Sequence, residues 1–404
     1  MERCVALHVQ TNFLSCARSA ASGIGQTFYR ETMFQRALAL SLCLLLSACA
    51  NHHMPWVLTP LAETAADAKP VDILVATSRG YDVASGQFDD KRARNLSYQA
   101  IRISIPPAHV TGEVEWPSEF PGDPKRHFVA LKNEMLTDEG MTRNISRMIP
   151  PSGDVVVFVH GYNTTHEEGV FRFSQIVADS DIKALPILFS WPSRGEVKDY
   201  VTDRESIMSS RNRLDQFLRQ LSLNPRVKRI DLLAHSMGTM LTMETLVQAK
   251  LRGDANYTGK LDSIVLAAPD IDVDVFQSQF EIIGKRNRPT TILTSRDDRA
   301  LAISSKIAGN VVRVGAASPR ARATIETVKR LGLTVVDMTE VKATDGANHG
   351  KFANSPVFIR QLGTHLGGGS PQSTSVGTVG SFIVDTAGTI LETPSTILRE
   401  IARR

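Results

Sequence analysis

Ser236 lies between a short apolar run and a helical one, and that position gives its hydroxyl chemistry to do. Arg229-Ile230-Asp231-Leu232-Leu233-Ala234 reads as a buried strand bounded by a polar loop. Met237, Met240, Leu241, Met243, Leu246 and Val247 then recur at helical spacing. A serine pinned in a sharp strand-to-helix turn has its hydroxyl lifted clear of the sheet. The next backbone N–H, that of Met237, points at the oxygen on which negative charge develops during acyl transfer. Ala234-His235-Ser236-Met237-Gly238 therefore predicts a nucleophile elbow. Ala234 stands where glycine is usual at this turn, and as the next smallest residue it still fits.

A serine hydroxyl is a poor nucleophile until a base takes its proton and a third group holds that base in the right tautomer. Beyond Asp298 the remaining histidines are His349 and His365. His349 falls in the turn-rich Asp345-Gly346-Ala347-Asn348-His349-Gly350, directly after the last predicted strand, and is the expected base. The acid is expected just beyond the strand end Thr291-Ile292-Leu293-Thr294-Ser295. Asp298 is preferred to its neighbour Asp297 because it comes three residues after Ser295 and just before Arg299-Ala300-Leu301. Asp270, at the end of the preceding strand, stays open as an alternative, since some lipases draw their acid from that place. The first oxyanion donor is expected after the apolar run Val155-Val156-Val157-Phe158-Val159, at the backbone N–H of Tyr162, with Asn163 as runner-up. Met237 N–H supplies the second. His160 is expected to fix the loop rather than to react.

The elements that must position these residues alternate along the chain. Strands are predicted over 71–78, 98–105 and 127–131, the last two separated by a Pro/Gly-rich stretch. From Asp154 onward strand and helix alternate: strands at 155–159, 186–190, 229–234, 263–268, 290–294 and 333–337, with helices at 167–178 and 203–221 and after Ser236. A continuous apolar strand such as 155–159 marks a sheet covered on both faces. The expected fold class is α/β, with a doubly wound, mostly parallel sheet.

Composition narrows the function classes. The chain has 404 residues, 42% hydrophobic and 22% charged, as in ordinary globular proteins. Its net charge is +4, of which four Arg against two Glu in the first 49 residues supply +2. The nearly neutral remainder has no basic stripe, so no nucleic-acid partner is expected. Cys4, Cys16, Cys43 and Cys49 all precede residue 50, leaving the body without a disulfide framework or a thiolate metal site. His166-Glu167-Glu168 lacks the second histidine a zinc peptidase motif requires, and the glycines at 367–369 follow no strand. No metal and no cofactor are expected.

Met33-Phe34-Gln35-Arg36 followed by the apolar, small-residue run 37–48 fits a signal-peptide core and is too short to span a bilayer. Residues 1–32 read as an over-extended start, with translation expected from Met33. Leu46-Ser47-Ala48-Cys49 resembles the lipobox of bacterial lipoproteins, which implies acylation of Cys49. Ala50 replaces the Asp that would favour inner-membrane retention, so the resemblance implies a lipid anchor in the outer membrane, on the periplasmic face of the cell envelope. Residues 50–70 are expected to form a tether, 71–365 the folded domain, and 366–404 a Gly/Ser linker with a weakly ordered tail.

Several segments, in order, carry a family resemblance. They are Ala76-Thr77-Ser78-Arg79, Val157-Phe158-Val159-His160-Gly161-Tyr162-Asn163, Phe189-Ser190-Trp191-Pro192-Ser193-Arg194-Gly195, Ala234-His235-Ser236-Met237-Gly238 and Ala268-Pro269-Asp270-Ile271-Asp272. From about Val71 to Leu362 the chain resembles a bacterial α/β-hydrolase family of unknown function, often secreted or lipid-anchored. The resemblance implies a sheet of the α/β-hydrolase type and a triad in the chain order Ser236, Asp298, His349. It names no substrate. The expectation is a lipid-anchored serine hydrolase that cleaves a carboxylic ester, or a related acyl bond, of a small-molecule or lipid-like substrate through an acyl-enzyme. An amidase, peptidase or thioesterase on the same triad is the alternative, as is a non-catalytic envelope scaffold.

Overall fold

The computed structural model describes residues 54–366, 382–384 and 390–392, all within a compact unit spanning Asn51–Arg404. The signal region 1–49 with Cys49, the start of the tether and the Gly/Ser linker lie outside the described residues.

The strands are β1 (Lys69–Asp82), β2 (Gln87–Ile105), β3 (Val129–Leu136), β4 (Asp154–Val159), β5 (Leu185–Ser190), β6 (Arg229–His235), β7 (Leu261–Ala267), β8 (Thr290–Thr294), β9 (Leu333–Asp337), β10 (Phe382–Val384) and β11 (Ile390–Glu392). Interleaved helices are α1 (Asp138–Met148), α2 (His166–Ser180), α3 (Tyr200–Leu223), α4 (Met237–Leu251), α5 (Val273–Ile283), α6 (Arg299–Ile307), α7 (Arg322–Leu331), α8 (Lys351–Asn354) and α9 (Pro356–His365). They build one sheet in the order β11-β10-β9-β8-β7-β6-β4-β5-β1-β2-β3. Every neighbouring pair from β1 through β5, β4, β6, β7 and β8 to β9 is parallel. β2 and β3 extend one edge antiparallel, and β10 and β11 do so at the other. The expected doubly wound, mostly parallel α/β sheet is what forms.

Burial explains the arrangement. Val155 to Val159 are at most 1% exposed, and full burial of such a side chain contributes roughly 1.5–3 kcal/mol. One face of the sheet packs on Ile207, Leu214, Met243, Phe276 and Val328 from α3, α4, α5 and α7. The other packs on Val170, Phe173, Phe358 and Leu362 from α2 and α9. β4 is followed in sequence by β5 on one side, whereas β6 lies on its other side. The loops after β4 and β6 therefore diverge at a topological switch point, the place where open α/β sheets form a crevice.

Several elements differ from expectation: β3 ends five residues beyond the predicted 131, β10 and β11 lie in the 366–404 segment expected as linker and tail, and β2 and α1 depart furthest. β2 begins at Gln87, eleven residues before the predicted 98, because its charged first half pairs with the far end of β1 through two register shifts. Its sequence is polar there because that part of the hairpin is largely exposed. α1 was not expected from the sequence. It forms with the Thr137 side chain accepting the Gly140 N–H and buries only Gly140, Met141 and Ile145.

Candidate active site

Ser236 joins β6 to α4 with φ 52° and ψ −125°, a backbone conformation that costs a non-glycine residue about 1–3 kcal/mol. Neighbouring strands hold it there. Ser236 N–H donates to Ala267 O at 2.9 Å, and Ser236 O accepts from the Thr239 hydroxyl at 2.6 Å and from Asp270 N–H at 3.4 Å. Glycine is needed on both sides of this turn. A Cβ on Gly238 would lie 2.2 Å from His160 O and 2.7 Å from Val159 O. One on Gly161 would lie 3.0 Å from Ser236 Cβ and 2.8 Å from His235 Nδ1. The loop after β4 thus rests directly on the elbow. This brings Gly161, the residue before Tyr162, beside the serine.

His349 comes from the loop after β9. Its Nδ1 is 2.7 Å from Asp298 Oδ2; the carboxylate accepts, so Nδ1 carries the hydrogen and the Nε2 lone pair is left as the basic site. Burial disfavours the imidazolium, but the charge and hydrogen bond of Asp298, helped by Asp270 and Asp345, raise the His349 pKa above its ordinary value. The loop is shaped by Asp345, whose Oδ2 accepts from His349 N–H at 2.7 Å and from Gly350 N–H at 3.1 Å. His235, the residue before Ser236, donates its Nε2–H to His349 O at 3.2 Å and packs its ring 4.6 Å from the His349 ring. Burial, then the His349 charge, holds His235 itself well below the ordinary histidine range. The structure thus brings His349 against the residue preceding Ser236. Among the described residues no hydrogen bond joins the Ser236 hydroxyl to His349, and such bonds commonly tighten only with substrate in place.

The three candidate acids separate by their partners. Asp298 faces His349, and its other oxygen caps α6 by accepting Leu301 N–H at 2.9 Å. Asp297 turns away to Lys351, whose Nζ donates to its two oxygens at 2.8 and 3.0 Å. Asp270 lies 3.2 Å from Arg313 Nε, both side chains being 3% exposed, and also accepts from the Tyr200 and Ser304 hydroxyls.

His160 takes the structural position expected of it. Trp191 N–H donates to its Nε2 at 3.1 Å, so Nδ1 carries the hydrogen and donates to Gly161 O at 2.9 Å. Burial and the Arg79 charge depress its pKa to about 3, which keeps that tautomer neutral. The Trp191 indole is fully buried, stacks 5.1 Å from the His160 ring, and donates to His160 O at 2.8 Å. It braces the loop. Tyr162 packs edge-on against Tyr200 at 5.4 Å, and its hydroxyl donates to Glu196 O at 3.2 Å. Asn163 has φ 55° in the same tight loop.

Sequence reasoning missed the supporting residues Arg79, Asp203, His235, Asp345 and Lys351. Arg79 and His235 stand inside the motifs quoted for the family resemblance, which was a usable signal. Asp345 stands inside the turn-rich segment quoted for His349, four residues before it. Asp203 and Lys351 had no such signal, because their partners come from other loops. Among the described residues no group of three or more His, Cys, Asp or Glu side chains could hold a metal ion, and no helix is long and apolar enough to cross a membrane.

Residues 138–365 match the family described as "Alpha/beta hydrolase of unknown function (DUF900)". A comparison with curated proteins finds no match. Solved structures similar to the chain include a fungal esterase of Rhizomucor miehei, at 11% identity and TM-score 0.32, covering 74% of this chain and 83% of that one. An esterase of Pyrobaculum calidifontis aligns at 11% identity and TM-score 0.34, covering 80% and 88%. The Pyrococcus furiosus esterase Pf2001 aligns at 10% identity and TM-score 0.30, covering 76% and 95%. The fold assignment rests on the sheet order and the family match.

Proposed function

The chain belongs to the alpha/beta hydrolases of unknown function (DUF900), and from that premise we propose that it is a serine hydrolase acting on carboxylic esters without a cofactor. The observation that carries the proposal is the His349–Asp298 hydrogen bond of 2.7 Å, with the His349 ring packed 4.6 Å from that of His235, the residue before a serine held in a strained strand-to-helix turn. Ser236 Oγ attacks the acyl carbon while His349 Nε2 takes its proton. The oxyanion is held by the backbone N–H groups of Tyr162 and Met237. His349 returns the proton to the leaving alcohol, and the acyl-enzyme forms. Water then enters by the same route: His349 takes its proton, the acyl–Oγ bond breaks, and Ser236 regains its hydrogen as the acid departs. Ser236 is 3% exposed, and the low dielectric around it strengthens each of these electrostatic contacts.

The same proposal includes attachment to the outer membrane through an acylated Cys49, with a small or lipid-like acyl substrate. Its support is the run 37–48 ending in Leu46-Ser47-Ala48-Cys49.

The test pairs two measurements on the purified protein and its Ser236→Ala variant: labelling by a fluorophosphonate, and turnover of p-nitrophenyl esters of graded chain length. Labelling at Ser236 with turnover that vanishes in the variant is expected. A wild-type protein that neither labels nor turns over any ester would refute the hydrolase reading.

A further inference from the structure

Arg79 lies near the end of β1, and its side chain is only 2% exposed. A buried guanidinium needs both its charge and its five N–H donors answered. Here the donors go to two loops rather than to one carboxylate. Nη2 donates to Thr164 O at 2.7 Å, Nη1 to Ser193 O at 2.9 Å and Asp89 O at 3.4 Å, and Nε to Ser190 Oγ at 3.0 Å. Thr164 ends the loop that carries Tyr162, and its hydroxyl donates to Tyr162 O at 3.2 Å. Ser193 belongs to the loop after β5.

The two loops are also tied to each other. Thr164 N–H donates to Ser193 Oγ at 3.2 Å, and Ser193 Oγ donates to Asp203 Oδ2 at 2.6 Å. Asp203, fully buried on α3, accepts Arg194 N–H at 3.0 Å through its other oxygen. Burial raises the Asp203 pKa to about 6, against the hydrogen bonds from Ser193 and Arg194 and the charge of Arg79. Burial also lowers Arg79 to about 10, with Glu167 and Asp203 opposing, so the guanidinium stays charged at neutral pH. Arg79 thus holds the 160–165 loop directly through Thr164 O, and Asp203 holds it through Ser193 Oγ, by bonds that fix direction as well as distance.

We propose that Arg79 is a positioning residue for catalysis: through Thr164 O and Ser193 O it holds the loop that aims the Tyr162 backbone N–H at the oxyanion. The proposal rests on the serine hydrolase reading. A point charge could neutralise Asp203 and Glu167, but only the planar fork of arginine can reach the carbonyls of both loops and Ser190 Oγ at once. Its effect belongs to the transition state, because the oxyanion exists only there, and so it should appear in kcat rather than in KM.

The experiment compares wild type with Arg79→Lys and Ser193→Ala on one p-nitrophenyl ester. The concentration of competent sites in each preparation is set by fluorophosphonate titration. Turnover per titrated site should fall about 10²-fold in Arg79→Lys, the scale of losing one oxyanion donor, with KM within about threefold of wild type. Ser193→Ala, which leaves Arg79 its backbone acceptor, should lose about tenfold by the same readout. Unchanged turnover per site in Arg79→Lys would overturn the proposal and leave the arginine a purely structural one. Should Arg79→Lys not fold, Arg79→Gln takes its place, since its amide cannot bond both loop carbonyls at once, and unchanged turnover per site there overturns the proposal. Failure of the wild type to label at Ser236 is a different result, which removes the hydrolase reading itself.

Discussion

Lys351 Nζ binds both carboxylate oxygens of Asp297, and in doing so leaves the adjacent Asp298 to serve His349. The lysine side chain is buried, and its ammonium also donates to Met338 O at 3.0 Å and Thr339 O at 2.8 Å. It therefore joins the loop after β8, the end of β9 and the helix that follows His349. Two aspartates in sequence acquire different work because one is given a cation and the other an imidazole.

Removing that cation should be costly. Lys351→Met leaves one buried carbonyl, one partly buried carbonyl and a carboxylate oxygen pair without their lysine donor, and stripping one partner from a buried pair typically costs about 3–5 kcal/mol. Since Asp297 is partly exposed, water recovers some of this, and a loss of about 2–3 kcal/mol is expected. Urea unfolding of wild type and variant measures it. A change below about 0.5 kcal/mol would mean that the lysine contributes no net stability.

The triad variants should form a hierarchy in the ester assay. Ser236→Ala and His349→Ala should each lower kcat by about 10⁶, and the double variant should cost little more, because the two side chains work as one unit. Asp298→Ala should lose less, about 10⁴. It also strips the cap of α6, costing about 1 kcal/mol of stability, whereas Asp298→Asn keeps a capping oxygen. Near-normal turnover in Ser236→Ala would place the chemistry elsewhere.

The pH profile follows from the raised pKa of His349. The base works only when neutral, so kcat/KM should rise with pH, with a midpoint above the ordinary histidine value of about 6.5. In Asp298→Asn burial is no longer opposed by that carboxylate, and the midpoint should move down. The stability that the pair contributes has the opposite sense: it is fully present below the unfolded-state pKa and fades as pH rises through the folded-state value. The stability difference between wild type and Asp298→Asn should therefore shrink toward alkaline pH. A midpoint that does not move in the variant would separate Asp298 from the titrating base.

Gly238→Ala should be damaging in a way that Gly253→Ala is not. The added Cβ at position 238 would meet backbone oxygens at 2.2 and 2.7 Å, which cannot yield without moving β4, whereas nothing lies within 4 Å at Gly253. A loss of at least about 2 kcal/mol and a collapse of turnover are expected for the former. The latter should keep its turnover and lose only the strain of its positive φ of 92°. Thermal unfolding and the ester assay on both variants decide it. Equal behaviour would remove close backbone approach as the reason for glycine at 238.

The anchor is tested by fractionation. Wild-type protein should sediment with the outer membrane and carry lipid by mass, while Cys49→Ala should be soluble or unprocessed. A wild-type chain recovered free of lipid in the soluble fraction would end the anchor proposal.

What the sequence determined by itself is the set of features that are local or periodic. The apolar strand 155–159, the helical spacing after Ser236 and the short distance between them identify the elbow, because a turn between strand and helix is specified by a few adjacent residues. The small residues around it announce close packing, and Gly161 and Gly238 are where the close approach occurs. The structural part played by His160 was legible too. Asp298 was preferred as the acid and does face His349, but the sequence left Asp270 open, since both follow strand ends. Only the fold sets Arg313 beside Asp270, Lys351 beside Asp297 and the imidazole beside Asp298. The Arg79–Ser193–Asp203 grip on the 160–165 loop was equally hidden, because its members come from β1, the loop after β5 and α3. Buried charges must find partners wherever the chain brings them, and those partners are chosen by the three-dimensional arrangement of loops at one end of the sheet, which spacing along the sequence does not encode.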